Sequence, residues 1–434
     1  MDPHPIRLVV SDDLARSRLT VFFRLLLAIP HFIWLVLWGI AVFVVVIVSW
    51  FAALFTGRVP GGLHGFMAAY VRYQTHVYAY LFLAANPYPG LTGEPGSYPI
   101  DLEIDGPARQ NRWKTAFRAI LATPSLALAA VLASFGLGGS FRQTESGTAE
   151  TAAYTLAPSV LVVVAILGWF VCLALARMPL GFRDLGAYGL RYGGQTWGYG
   201  LLLTDRYPNA DPALPAATQP TPVKPIRLRT EGELARSRLT VFFRLLLAFP
   251  HFVWLALWGV VLLFALVAGW IAALASGRLP DALHRFIAAY VRYSIHVTAF
   301  LTLVGNPFPG FAGAAGSYPV DVEIDPPAPQ SRAKTFFRLF LALPALVVSG
   351  ALSAPLYLVA VFGWFVSLIL GRMPESLRNL GAFVLRYDAQ TYAYLFLLTD
   401  SYPFAGPAEY EEPEPEPEPE PGFAWPEAPP SPSF

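Results

Sequence analysis

The chain has 434 residues and a formal net charge of +1; hydrophobic residues make up 55% of it, charged residues only 14%, and its mean hydropathy is +0.49. A soluble domain carries about 25% charged residues, so this composition excludes an ordinary water-soluble globule, and the near-neutral charge excludes a basic nucleic-acid binder. The single cysteine, Cys172, lies in an apolar run, so no disulfide forms within the chain and cysteine usage says nothing of compartment.

Residues 1–5 lack a basic stretch or a cleavage site, so the first apolar run is expected to serve as the insertion signal. The first element is a short alternating strand, Ile6-Arg7-Leu8-Val9. A run without any charge follows between Arg24 and Arg58, and comparable runs lie between Arg244 and Arg278 and between Arg338 and Arg372. Such runs indicate membrane segments. Residues 14–28 (LARSRLTVFFRLLLA) return unchanged at 234–248, and the register holds through Asp105 and Asp325. The chain therefore divides into two homologous halves, 1–207 and 225–403. A Pro/Ala-rich linker, 208–224, joins them, and a Glu-Pro tail expected to be disordered occupies 404–434.

Each half is itself doubled, into units 5–97, 98–207, 225–317 and 318–403. Arg-x5-Pro recurs at Arg24, Arg118, Arg244 and Arg338. A Trp follows at Trp50, Trp169, Trp270 and Trp364, then Arg-x-Pro at Arg58, Arg177, Arg278 and Arg372. Arg-Tyr comes at Arg72, Arg191, Arg292 and Arg386, and a closing aromatic-Pro at Tyr88, Tyr207, Phe308 and Tyr402. The Arg-to-Trp spacing is 26 residues in three units and 51 in the second. The second unit's extra residues, around 136–158, include Arg142, Glu145 and Glu150, and such charges are costly at mid-bilayer. An insert of this kind suits a hairpin tip, so each apolar run is expected to be a helix–turn–helix hairpin turning near Gly39, Gly259 and Pro355. The expected fold class is an all-α integral membrane protein with short cytoplasmic β-strands. It has four repeated helical-hairpin units, about eight membrane helices, and interfacial amphipathic helices after each hairpin, such as 63–85.

Nearly all Lys and Arg residues then fall on one side. The positive-inside rule makes that side cytoplasmic, along with both termini. Arg24 inside the first membrane helix is expected to snorkel to the interface. The strands Ile6–Val9 and Ile226–Arg229 are basic, whereas Ile100–Asp105 and Val320–Asp325 are acidic. Period-two alternation places each charge set on one face, so basic and acidic strands are expected to pair.

The motifs Arg-Ser-Arg-Leu-Thr-Val-Phe-Phe-Arg, Ile-Pro-His-Phe, Asn-Pro-Tyr-Pro-Gly and Gly-Ser-Tyr-Pro resemble a bacterial membrane family known as domain of unknown function 4389, here as two tandem copies. The resemblance implies a protein of the bacterial cytoplasmic membrane. It supplies no activity and no catalytic residues.

No catalytic motif, phosphate-cradling glycine loop or metal-ligand cluster is present in the sequence, and no cofactor is expected. The histidines do not persist across units: the positions aligned with His64 are Arg183 and Arg378, which cannot serve as ordinary metal ligands. One constellation stands out. Arg72/His76/Tyr80, Arg191/Gln195/Tyr199, Arg292/His296/Phe300 and Arg386/Gln390/Tyr394 are each spaced i, i+4, i+8, on one helical face. Arg offers a fork for phosphate and the aromatic suits the headgroup layer, so each stripe is a candidate lipid-headgroup site or a structural anchor. The juxtamembrane cations Arg18, Arg24, Arg112, Lys114 and Arg118, with their copies Arg238, Arg244, Arg332, Lys334 and Arg338, admit the same two readings. The functional expectation is a non-enzymatic membrane scaffold, with a lipid-binding or lipid-moving protein as the alternative. Expected partners are membrane lipids, anionic ones included, and a protein docking on the C-terminal tail, with no nucleic acid.

Overall fold

The computed structural model describes residues 4–133, 158–213 and 222–407. Each unit runs strand, apolar helix, 21-residue helix, the apolar helix being long in the first, third and fourth units and replaced by two shorter ones in the second. The first unit contains β1 (Ile6–Val10), α1 (Arg18–Thr56) and α2 (Gly61–Leu81). The second contains β2 (Ile100–Ile104), α3 (Arg112–Ala116), α4 (Arg118–Ala133), α5 (Val160–Leu175) and α6 (Leu180–Gly200). The third contains β3 (Ile226–Thr230), α7 (Arg238–Phe242), α8 (Arg244–Ser276) and α9 (Asp281–Leu301). The fourth contains β4 (Val320–Ile324), α10 (Arg332–Leu370) and α11 (Glu375–Leu395).

The apolar runs are not hairpins. Gly39 lies inside α1, Gly259 inside α8 and Pro355 inside α10, each within unbroken helix, so the expected four hairpins and eight membrane helices are corrected. A lone glycine lowers helix propensity without making a turn. A proline's lost hydrogen bond is tolerated where neighbouring helices shelter the backbone. The helices stop instead at Gly57, Gly277 and Gly371, whose φ values of 75°, 74° and 69° are the left-handed caps that glycine adopts freely. The insert of the second unit falls between α4 and α5, where the other units run on as one helix, and its residues 134–157 lie outside the described residues. An insertion splits one copy without requiring the other copies to bend there. Among the described residues, three helices are long and apolar enough to cross a membrane: Arg18–Thr56, Arg244–Ser276 and Arg332–Leu370. The second unit supplies two shorter apolar helices in their place.

The 21-residue helices are also corrected. They were expected to lie at the membrane interface, yet α2 buries His64, Met67, Val71, Arg72, Tyr73, His76 and Tyr80 inside the protein. Each packs beneath its own long helix, as α2 does on α1 and α11 on α10, and they pair with each other, α2 with α6 and α9 with α11. Along α1 and α2 the partners run antiparallel: Arg24 meets Tyr80, His31 meets Tyr73, and Trp38 meets Tyr70 and Phe66.

The strands pair as the charge alternation implies, in two separate antiparallel sheets, with Arg7 opposite Glu103 and Arg227 opposite Glu323. Helices and strands are exchanged between units: α2 packs on β2 and α6 on β1, while α9 packs on β4 and α11 on β3. Each half is thus closed by a crossed pair of units. The ordered chain continues past 403, because Phe404 and Ala405 are buried. The linker residues 214–221 and the tail 408–434 lie outside the described residues.

Candidate functional site

The polar interior of every unit holds a buried arginine placed in the first turns of the unit's apolar helical part. Arg24 donates to the carbonyl oxygens of Tyr80 and Ala85, Arg118 to those of Tyr199 and Thr204, Arg244 to Phe300 and Gly305, and Arg338 to Tyr394 and Thr399. These carbonyls belong to the C-terminal turn of the 21-residue helix and the residues just after it. A cation satisfies them and meets the negative end of the helix dipole. The guanidinium carbon also sits 4.3 Å above the Tyr80 ring, 4.5 Å above Tyr199, 4.4 Å above Phe300 and 4.9 Å above Tyr394. The expectation that Arg24 snorkels outward is corrected: it is buried and turned inward, because the nearest acceptors are helix-end carbonyls. In the second and fourth units Asp205 and Asp400 complete the pairing, and in the first Asn86 stands in that place.

Two residues past the end of each of these helices stands a leucine in left-handed conformation: Leu83, Leu202, Leu303 and Leu397, with φ between 63° and 67°. Leucine adopts this region only at a cost of about 1–2 kcal/mol, and all four side chains are buried. Their carbonyls are held by a second ring of donors, Arg16, Gln110, Arg236 and Gln330, each eight residues before the buried arginine of its unit. The spacing of charged motifs alone does not reveal this ring. Its signal is a fixed position in the repeat where a long polar side chain always stands.

The four stripes lie on the face of the 21-residue helices that meets the strands and the closing loops. Arg72 donates to the Leu102 and Gly93 carbonyls at 2.9 and 3.1 Å, and Arg292 to Val322 at 2.9 Å. Arg191 donates to Ala213 and Asp211, and Arg386 to Gly406. His76 contacts Asp101 at 2.6 Å and His296 contacts Asp321 at 2.8 Å. Gln195 donates to Ile6 and accepts from the Asn209 backbone, and Gln390 does the same with Ile226 and Phe404. The third member of each stripe, Tyr80, Tyr199, Phe300 or Tyr394, is the ring beneath the buried arginine. It meets the closing aromatic edge-on, Tyr88, Tyr207, Phe308 or Tyr402. Burial alone would push the Asp101 and Asp321 carboxyls up. Hydrogen bonds from His76 or His296 and from two backbone N–H groups outweigh it and hold both below the usual carboxylate range.

The remaining cations stand at helix ends. Arg18 donates to Ala174 at the end of α5, Arg238 to Ile369 at the end of α10, and Arg332 to Ala275 near the end of α8. Arg112, Lys114 and Lys334 are exposed. Indole N–H groups tie the long helices of a half together end to end: Trp50 to Thr115, Trp169 to Val21, Trp270 to Thr335 and Trp364 to Val241.

These features define a membrane-associated helical repeat protein with a polar, internally bonded core. The family model for the domain of unknown function DUF4389 matches residues 18–91, 238–312 and 332–406, and the chain belongs to that family. The matched segments fall in the first, third and fourth units, so the family's domain is present in more than one copy along the chain. Searches of curated proteins and of solved structures find no match.

Proposed function

We propose that the protein is a non-enzymatic scaffold of a bacterial cytoplasmic membrane, with both termini on the cytoplasmic side. One observation carries this reading: the chemistry-bearing side chains of the four stripes are spent on the chain's own carbonyls, carboxylates and amides. Groups so committed hold a shape and are poorly placed to bind or turn over a ligand. The exposed arginines at the helix ends favour the leaflet richer in anionic lipid. The Glu-Pro tail carries Phe423 and Trp425 among prolines, side chains for a protein partner to dock on.

Quantitative cross-linking in native membranes tests the scaffold. The expected result is a protein partner at fixed stoichiometry that survives replacement of Arg72, Arg191, Arg292 and Arg386 by Gln and is lost when 408–434 is removed. A chain with no protein partner but one lipid class at fixed stoichiometry would overturn it.

A second reading, lipid binding or lipid movement, is favoured by a specific feature away from the stripes. An apolar crevice of about 480 Å³ lies between α1 and α5, walled by Phe22, Leu25, Ile166, Trp169 and Phe170, with Arg24 at its back. An acyl chain fits such walls.

A further inference from the structure

We infer that the three long helices lie along one leaflet of the membrane and do not cross it, so that the lipid surface itself covers their open apolar faces. The inference needs only membrane association, not the scaffold role.

Length is the first argument. A helix of 39 residues, as α1 and α10 are, is about 58 Å long at 1.5 Å per residue, against roughly 30 Å of hydrocarbon. Crossing would demand a tilt of about 60°, beyond the 0–40° at which membrane helices sit. The apolar surface does not end part-way either. Phe22, Ile33, Ile40 and Phe51, all at least half exposed, mark one angular stripe from the start of α1 almost to its end.

The placement of charge is the second argument. The sheets pack along the C-terminal halves of the 21-residue helices: Arg72 and His76 of α2 hold Leu102 and Asp101 of β2, and Gln195 of α6 holds Ile6 of β1. In that sheet Arg7 is 35% exposed, Glu103 57% and Asp105 52%. Over residues 24–38, α1 runs antiparallel beside α2. Were these helices upright in the bilayer, the open charges of the sheet would stand level with residues 28–32 of α1, inside its charge-free run, where charges are not left facing lipid. With the helices in the membrane plane, the sheets of both halves face water. Exposed arginines stand before and after every long helix, Arg18 and Arg58, Arg238 and Arg278, Arg332 and Arg372. In-plane helices put all six at the headgroups of one leaflet.

The test uses the full chain with Cys172→Ala, reconstituted in sealed phosphatidylethanolamine/phosphatidylglycerol vesicles. Single cysteines replacing Phe22, Ile33, Ile40 and Phe51 carry a fluorophore read by depth-graded quenchers. Cysteines replacing Ser17, Arg58 and Glu103 are challenged with an impermeant maleimide. The expected result is one shallow depth at all four positions and labelling of all three surface cysteines from the same side. A depth that reaches the bilayer centre at Ile33 or Ile40 would overturn the inference, as would labelling of Ser17→Cys and Arg58→Cys from opposite sides. Polarised infrared dichroism of the unaltered protein in oriented bilayers gives an independent reading. Helix amide dipoles near the plane agree with the inference, and dipoles along the normal contradict it.

Discussion

Arg24 and Tyr80 are joined twice over: the guanidinium donates to the Tyr80 carbonyl and lies 4.3 Å above the same residue's ring. The contact recurs in every unit and ties the start of a long helix to the end of the helix beneath it. Replacing Arg24 by Gln removes the charge and shortens the donor so that it no longer spans both carbonyls, and a buried carbonyl left unpaired costs about 1–3 kcal/mol. Thermal unfolding in detergent should show Arg24→Gln, Arg118→Gln, Arg244→Gln and Arg338→Gln all strongly destabilised, whereas Lys114→Gln, exposed and outside the clamp, stays within about 0.5 kcal/mol of the parent.

The paired carboxylates set the response to acid. Asp101 and Asp321 have folded pKa values below the ordinary one, so their stabilisation is complete above about pH 4. It is lost as pH falls through the lower, folded value. Melting temperature followed from pH 6 to pH 3 should therefore drop for the parent at the acid end. The drop should be shallower for Asp101→Asn with Asp321→Asn, which begins from a lower plateau.

Close packing of the long helices over the left-handed leucine corners is sensitive to one added carbon. A Cβ on Gly363 would meet the Met373 sulfur at 2.7 Å, and one on Gly168 would meet Met178 at 3.0 Å, whereas Gly350 has nothing within 4 Å. Gly363→Val should cost about 1–3 kcal/mol by overpacking. Gly350→Ala should cost nothing, as melting curves of the two variants will register.

Charge pairing across the sheets is a matter of register and contributes little stability. Arg7 bridges Glu103 at 3.3 Å and Asp105 at 2.9 Å with all three partly open to water. Arg7→Glu should lower stability by no more than about 1 kcal/mol, and adding Glu103→Arg should recover most of it.

The sequence carried the repeat, the opposite charges of the strands and the one-sided stripes, because these are matters of spacing. It did not carry the fate of the apolar runs. A period of 3.6 residues is the same in one long helix and in two halves of a hairpin, and the insert before Val160 pointed to a turn that α1, α8 and α10 do not make. Nor did it tell which way Arg24 points, since a cation in an apolar run is equally served by headgroups or by helix-end carbonyls. The ring of Arg16, Gln110, Arg236 and Gln330 was hidden for a related reason. Arg and Gln differ in charge, and only the shared task of reaching a leucine carbonyl makes them equivalent.

The central claim is that the stripes are internal framework. Its most direct test measures two quantities on one variant, Arg72→Gln with Arg292→Gln, extracted in native membrane patches: melting temperature and the composition of the retained lipid. A lower melting temperature with lipid composition equal to that of the parent is the predicted result. An unchanged melting temperature with loss of one anionic lipid would contradict it.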